Sequence, residues 1–193
     1  MSGDDPSLEE VLADEDVRAL SRRYFISNGF DGTLTSIGIV VGAYLTGVAQ
    51  GATVFAIGIG AAVGIGTSGV WSVWEIERAE KRIELQRLEE AMLAELHGTR
   101  LQDVRAGGRK VNAVMSGTGP VLGVLIPIVP FLFEGTVFSM IEATLLGVAL
   151  GVGVLFTFGA YLGHISRQRW YLAGFRMGLA GIVVALINVF LPG

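Results

Sequence analysis

The sequence predicts an all-α membrane protein: five transmembrane helices, with a cytoplasmic helical extension between helices 2 and 3. Three observations carry this. Hydrophobic residues make up 51% of the 193, glycine contributes 28, and the mean hydropathy is +0.58; soluble domains are seldom so apolar. Apolar stretches near 25–48, 52–74, 112–133, 137–163 and 171–191 are each long enough to cross about 30 Å of hydrocarbon, which takes roughly 20 helical residues. No alternating barrel pattern is visible, so each is helical, because an unpaired backbone amide in lipid is too costly.

The chain opens MSGDDPSLEEVLADEDV, acidic and polar, unlike a signal peptide. Its first sixteen residues hold seven acids and no base, which supplies much of the net charge of −4. All fourteen Lys and Arg lie before the first span, between spans two and three, between four and five, or early in span five at Arg176. The connections near Gly47 to Gly51 and Glu134 to Thr136 carry none. The positive-inside rule then puts the N-terminus in the cytoplasm and the C-terminus outside. The expected organisation is an acidic cytoplasmic segment (1–24), helices 1 and 2 (25–74), a Glu-rich cytoplasmic helical segment (75–110) and helices 3 to 5 (111–193).

Several function classes are excluded. Cysteine is absent, and His97 and His164 are the only histidines, so disulfides, thiolate metal sites and a histidine-rich metal centre are ruled out within one chain. No basic patch with interleaved aromatics suggests a nucleic-acid partner. No serine is arranged with a histidine and an acid for hydrolysis, so the chain does not read as an enzyme and needs no cofactor.

Taken in order, residues 1–20 place Leu8, Val11, Leu12, Val17 and Leu20 on a short surface helix. The first span then holds Asp31, with no basic residue within seven positions. An ionisable group at that depth marks a pathway or a buried pair, and Asn28, Thr35 and Ser36 stand within about a turn. GxxxG pairs occur in all five spans: Gly38/Gly42, Gly60/Gly64, Gly119/Gly123, Gly147/Gly151 and Gly174/Gly178. Such pairs let helices approach closely, inside one subunit or between two. A GxGxxG at Gly64, Gly66 and Gly69 follows no strand and fails the context that dinucleotide binding requires.

The segment 75–110 carries eight acids and eight bases, and no helix breaker precedes Gly98; span two is expected to run on to about His97. Glu77, Glu80, Glu84 and Glu95 fall within about 60° on one face, with an apolar stripe of Leu85, Leu88, Met92 and Leu96 on another. Carboxylates at this spacing suit a divalent cation. A solvated, salt-bridged helix, with Glu77 and Lys81 as an i,i+4 pair, explains the same residues. In the fourth span Glu142 is a candidate proton or metal exit site, or an acid snorkelling to the outer interface. Arg176 is expected to reach the cytoplasmic interface or to pair with an acid; His164 sits at the membrane edge; Met115, Met140 and Met177 read as packing.

The stretch DGTLTSIGIVVG (31–42) resembles the opening signature of the vacuolar iron transporter family, an aspartate-glycine pair ahead of a Ser/Thr-rich, glycine-spaced helix. GVLIPIVPF (123–131) is similar to that family's proline-bearing third span, and RQRWYLAGFRMGLAGIVVALI (167–187) to its fifth. The chain is thereby identified as a distant, reduced member. The resemblance implies a homodimer of five-helix subunits in a lipid bilayer, exporting Fe²⁺ or a similar divalent ion from the cytosol by proton antiport. Asp31 matches the aspartate of the translocation path, and Glu77, Glu80 and Glu84 match the metal-collecting glutamates by location and spacing. The second span departs from the pattern: Gly69 stands where the family carries a methionine, and Val73 or Trp74 where it carries a glutamate.

Two functions follow. The first is a divalent-metal/proton exchanger with Asp31, Glu77, Glu80 and Glu84 as metal residues. Carboxylates suit Fe²⁺ and Mn²⁺ alike, whereas the scarcity of His and Cys argues against copper and zinc. The other is a non-transporting membrane scaffold of the same fold, whose acidic cytoplasmic helix binds a partner.

Overall fold

The computed structural model describes residues 7–92 and 100–190. Among them there is no strand. The helices are α1 (Leu8–Ala13), α2 (Glu15–Leu45), α3 (Gly51–Met92), α4 (Arg100–Ile128), α5 (Met140–Ile165) and α6 (Trp170–Phe190), with a 3-10 turn at Val129–Phe133. Among the described residues four segments are long and apolar enough to cross a membrane: Gly51–Glu84, Gly107–Phe133, Met140–Ile165 and Trp170–Phe190. The stretch expected as the first span lies in α2, which is not among the four. Asn28, Asp31, Thr33, Thr35 and Ser36 dilute its apolar residues.

The helix starts follow from local hydrogen bonding. Ser7 and Glu10 form a capping box on α1. The Asp14 carboxylate accepts the N–H groups of Asp16 and Val17 at 2.9 and 3.2 Å, so α2 begins at Glu15 rather than near residue 25. The Glu134 carboxylate accepts the Gly51 N–H at 2.9 Å, at the start of α3. The reversals after α2 and before α5 use Gly47 (φ 72°) and Gly135 (φ 80°), where a side chain would be strained.

The 42 residues of α3 span about 63 Å at 1.5 Å each, roughly twice the hydrocarbon thickness. It carries the Glu-rich stretch without a break as far as Met92. Gly98, the expected breaker, lies outside the described residues, as do Glu95, Leu96 and His97. The chain is helical again from Arg100, so residues 100–110 of the segment expected at 75–110 belong to the helix bearing the next span.

Packing centres on α2, which lies along α4 and against α5 and α6 on other flanks; α3 pairs with α4, and α5 with α6. The α2–α4 contact is made backbone to backbone. A Cβ on Gly119 would collide with the Phe25 carbonyl, one on Gly123 would lie 2.5 Å from the Gly29 carbonyl oxygen, and one on Gly32 would lie 2.7 Å from Pro120 Cα. Pro120 stands inside α4 and has no N–H, so the Ser116 carbonyl loses its helical donor. Asn28 of α2 supplies one, its Nδ2 donating to Ser116 O at 3.2 Å. Farther along, Ser36 Oγ donates to the Val124 carbonyl at 3.1 Å. Fully buried Ile37, Val40, Val124, Ile128 and Phe131 fill the space beyond.

Close approach where lipid removes the hydrophobic drive depends on small residues. Gly123→Leu would push α4 off α2 and is expected to destabilise by at least about 1–3 kcal/mol, seen as lost monodisperse protein and a lower thermal midpoint. Gly153→Leu is the matched control on α5, because nothing lies within 4 Å of that Cβ position; it should leave both readouts unchanged.

Candidate metal site

Asp31 sits on a stripe of α2 that its neighbours leave open. Gly32, Thr33, Ser36, Ile37 and Val40 are buried, whereas Asp31 and Thr35 are exposed. At 100° per residue Asp31, Thr35, Gly38 and Gly42 fall within about 60° of one another. A Cβ on Gly42 would meet nothing within 4 Å, and one on Gly38 only the Asn188 amide at 3.7 Å. The Asp31 carboxylate has no hydrogen bond or ion pair among the described residues; its backbone carbonyl accepts the Thr35 hydroxyl at 2.9 Å. Arg176 is exposed and makes no ion pair with it.

The glycine pairs divide sharply. Gly119/Gly123, Gly147/Gly151 and Gly174/Gly178 face neighbouring helices of the same chain, whereas Gly60 and Gly64 of α3, like Gly42 of α2, face open space. Trp71 lies on that open face of α3 and is 72% exposed.

The three α3 glutamates do not form one cluster. Glu80 and Glu84 are exposed, but Glu77 turns inward at 5% exposure. There it accepts the Tyr24 hydroxyl at 3.0 Å and faces Lys81 Nζ at 3.7 Å. Burial, reinforced by the adjacent carboxylate, pushes the Tyr24 phenol up to about 12, so it remains a donor. Among the described residues no three acids or histidines are grouped closely enough to hold a metal. Glu95 and the side chains of Leu85, Leu88 and Met92 lie outside the described residues.

A ladder of buried polar groups joins α2, α3 and α4, and sequence reading had passed over most of it. Ser21 Oγ donates to Asn112 Oδ1 at 2.8 Å. Asn28 Nδ2 also donates to Ser116 Oγ, which itself donates to the Gly69 carbonyl at 3.0 Å. Asn112 Nδ2 and Arg109 Nε are buried without a partner among the described residues, and the Arg109 guanidinium lies 4.4 Å over the Trp74 ring. The one sequence signal was Asn28, within about a turn of Asp31.

The same ladder explains the departures in span two. A Cβ on Gly69 would stand 2.8 Å from the Ser116 carbonyl oxygen, so α3 and α4 are too close there for a methionine. Val73 is buried, and Trp74 packs under Arg109. Both acids near the other end of the bundle cap helices. Glu134 receives Gly51, and Glu142 forms a capping box with Ser139, whose N–H and Oγ each donate to it at 2.8 Å.

Residues 72–192 match the sequence model of the VIT family. The chain belongs to the VIT family. Members are membrane metal-ion transporters, not enzymes, so this is an integral, multi-pass membrane protein of that transporter family. An uncharacterised protein of Methanocaldococcus jannaschii is 24% identical over 168 residues, covering 86% of this chain and 85% of that protein. Within the VIT match lie the Glu-rich part of α3 and all of α4, α5 and α6, whereas Asp31 precedes it.

Burial together with the bond to Glu77 gives Tyr24 a titration signature. The folded-state value of Tyr24 is raised, from 10.0 to about 12, so its stabilising contribution is complete below pH 10 and is lost as pH rises towards 12. Phenolate absorbance of the folded protein should show one late-titrating tyrosine that disappears in Tyr24→Phe. An unchanged difference spectrum would mean that the bond does not form.

Proposed function

We propose that this VIT-family protein exports Fe²⁺ or Mn²⁺ from the cytosol in exchange for protons, as a two-fold homodimer. The placement of Asp31 carries the proposal: an unpartnered carboxylate on an open stripe of a helix otherwise enclosed by apolar spans. Such a group facing lipid is costly, so a second copy is the fitting cover, and the open glycines of α2 and α3 offer surfaces for close approach. In this arrangement α2 is a fifth crossing, the N-terminus and the Glu-rich half of α3 are cytoplasmic, and the C-terminus is outside, as the Lys and Arg distribution supports.

The chemistry follows from one carboxylate with two exchangeable partners. A divalent ion favours the ionised form of Asp31 and a proton the neutral form, so loading one displaces the other. Glu80 and Glu84, exposed on α3, attract the cation on the cytoplasmic side. Glu77, held by Tyr24 and Lys81, contributes field and positions α3 against α2. The scaffold alternative draws support from the same engagement of Glu77 and from the dispersed acids.

Transport of Fe²⁺ or Mn²⁺ into proteoliposomes under a proton gradient separates the two. Asp31→Asn should lose metal-coupled proton movement by at least about tenfold, since even residues behind a metal's direct ligands typically matter that much. Affinity for the metal should also fall as pH drops. Full transport by Asp31→Asn would sink the exchange mechanism, and no transport by the wild type would favour the scaffold.

The dimer can be checked separately, because the natural chain has no cysteine. Gly42→Cys should yield a covalent dimer with a short bis-maleimide in native membranes, whereas Gly153→Cys should remain monomeric on denaturing gels. Equal cross-linking of both would remove α2 from the interface.

A further inference from the structure

Two grooves flank the first half of α2 and share Arg22 and Ile26 in their walls. One, of about 670 Å³, lies between α1, α2, α4 and α5; Arg18, Arg22, Phe25, Met115, Phe158 and Tyr161 are among its lining residues. The other, of about 580 Å³, lies towards α5 and α6 and adds Arg23, Phe30, Leu162 and Met177. Their walls are mostly apolar, and the cations stand at the end nearer the start of α2.

We propose that these grooves bind an anionic phospholipid, its phosphate between Arg18 and Arg22 and its acyl chains along Phe25, Ile26 and Phe158. Charge complementarity is the first support. Arg18 and Arg22 are one turn apart on the same face of α2, and neither makes an ion pair among the described residues. Ser21, between them, is committed elsewhere: its hydroxyl donates to Val17 O and to Asn112 Oδ1. The arginines are therefore left to bind an anion.

Depth is the second support. Tyr161 and Leu162 belong to the last turns of α5, which ends at Ile165, and Val111, also lining the larger groove, lies near the start of the apolar stretch of α4 at Gly107. The arginines thus stand where two membrane-crossing segments end, at headgroup level. Basic pockets between helices at that level hold anionic headgroups. Apolar walls beneath the guanidiniums fit hydrocarbon chains and give a free inorganic anion nothing to contact. The site is separate from Asp31 and does not rest on metal transport.

The full-length protein in mild detergent would be titrated with dioleoylphosphatidylglycerol, dioleoylphosphatidylcholine and inorganic phosphate, reading retained lipid by native mass spectrometry and the thermal midpoint. Phosphatidylglycerol alone should be retained and raise the midpoint. The double variant Arg18→Gln/Arg22→Gln should bind it about 10- to 30-fold more weakly, with its lipid-free midpoint unchanged. If the double variant does not fold, Arg18→Gln alone, at an exposed position, should still weaken binding about fivefold. Equal retention of the two lipids, binding indifferent to these substitutions, or an equal response to phosphate alone would overturn the lipid site.

Discussion

The backbone-to-backbone contact between α2 and α4 is the constraint on which the rest of the bundle depends. Gly29, Gly32, Gly119 and Gly123 remove the side chains that would hold the helices apart. Pro120 leaves a carbonyl that Asn28 satisfies from across the contact. In lipid the hydrophobic effect does not drive helices together, so packing and interhelical hydrogen bonds must do so. Here the two coincide within one turn, because the proline that weakens α4 internally creates the acceptor that ties it to α2.

That contact fixes the rotation of α2, and rotation decides the fate of its polar residues. Thr33 and Ser36 turn inward, with hydroxyls bonded to Gly29 O and Val124 O. Asp31 and Thr35 are left on the open side. The Asp31 carboxylate is therefore presented at the surface of the bundle, with no hydrogen bond or ion pair among the described residues. The open glycines on the same stripe set how near another surface can come.

Towards the Glu-rich end, a second set of interactions holds α3 to α2 and α4. Glu77 is drawn in by Tyr24 and Lys81, and Trp74 lies beneath Arg109. The long α3 is thus anchored before it runs on, while Glu80 and Glu84 remain on its exposed side. Acids that look alike along the sequence take different roles: Glu77 latches helices together, and Glu134 and Glu142 satisfy the free N–H groups of helix starts.

Much of the fold was legible in the chain. Long apolar runs with no barrel alternation required helices, and in that solvent the backbone allows little else. The uninterrupted run from Gly51 past Trp74 foretold one continuous α3, and Asp31 stood out by charge alone. Periodicity, however, states only which residues share a face of their own helix, not which neighbour covers that face. Identical GxxxG pairs were therefore indistinguishable until the fold turned Gly119/Gly123 inward and left Gly60/Gly64 open. For the same reason Glu77, Glu80 and Glu84 read as one acidic set, although the packing of α3 against α2 buries the first beside Tyr24. Local sequence determined the helices and the placement of charge; tertiary packing decided which of those charges remain available to a ligand.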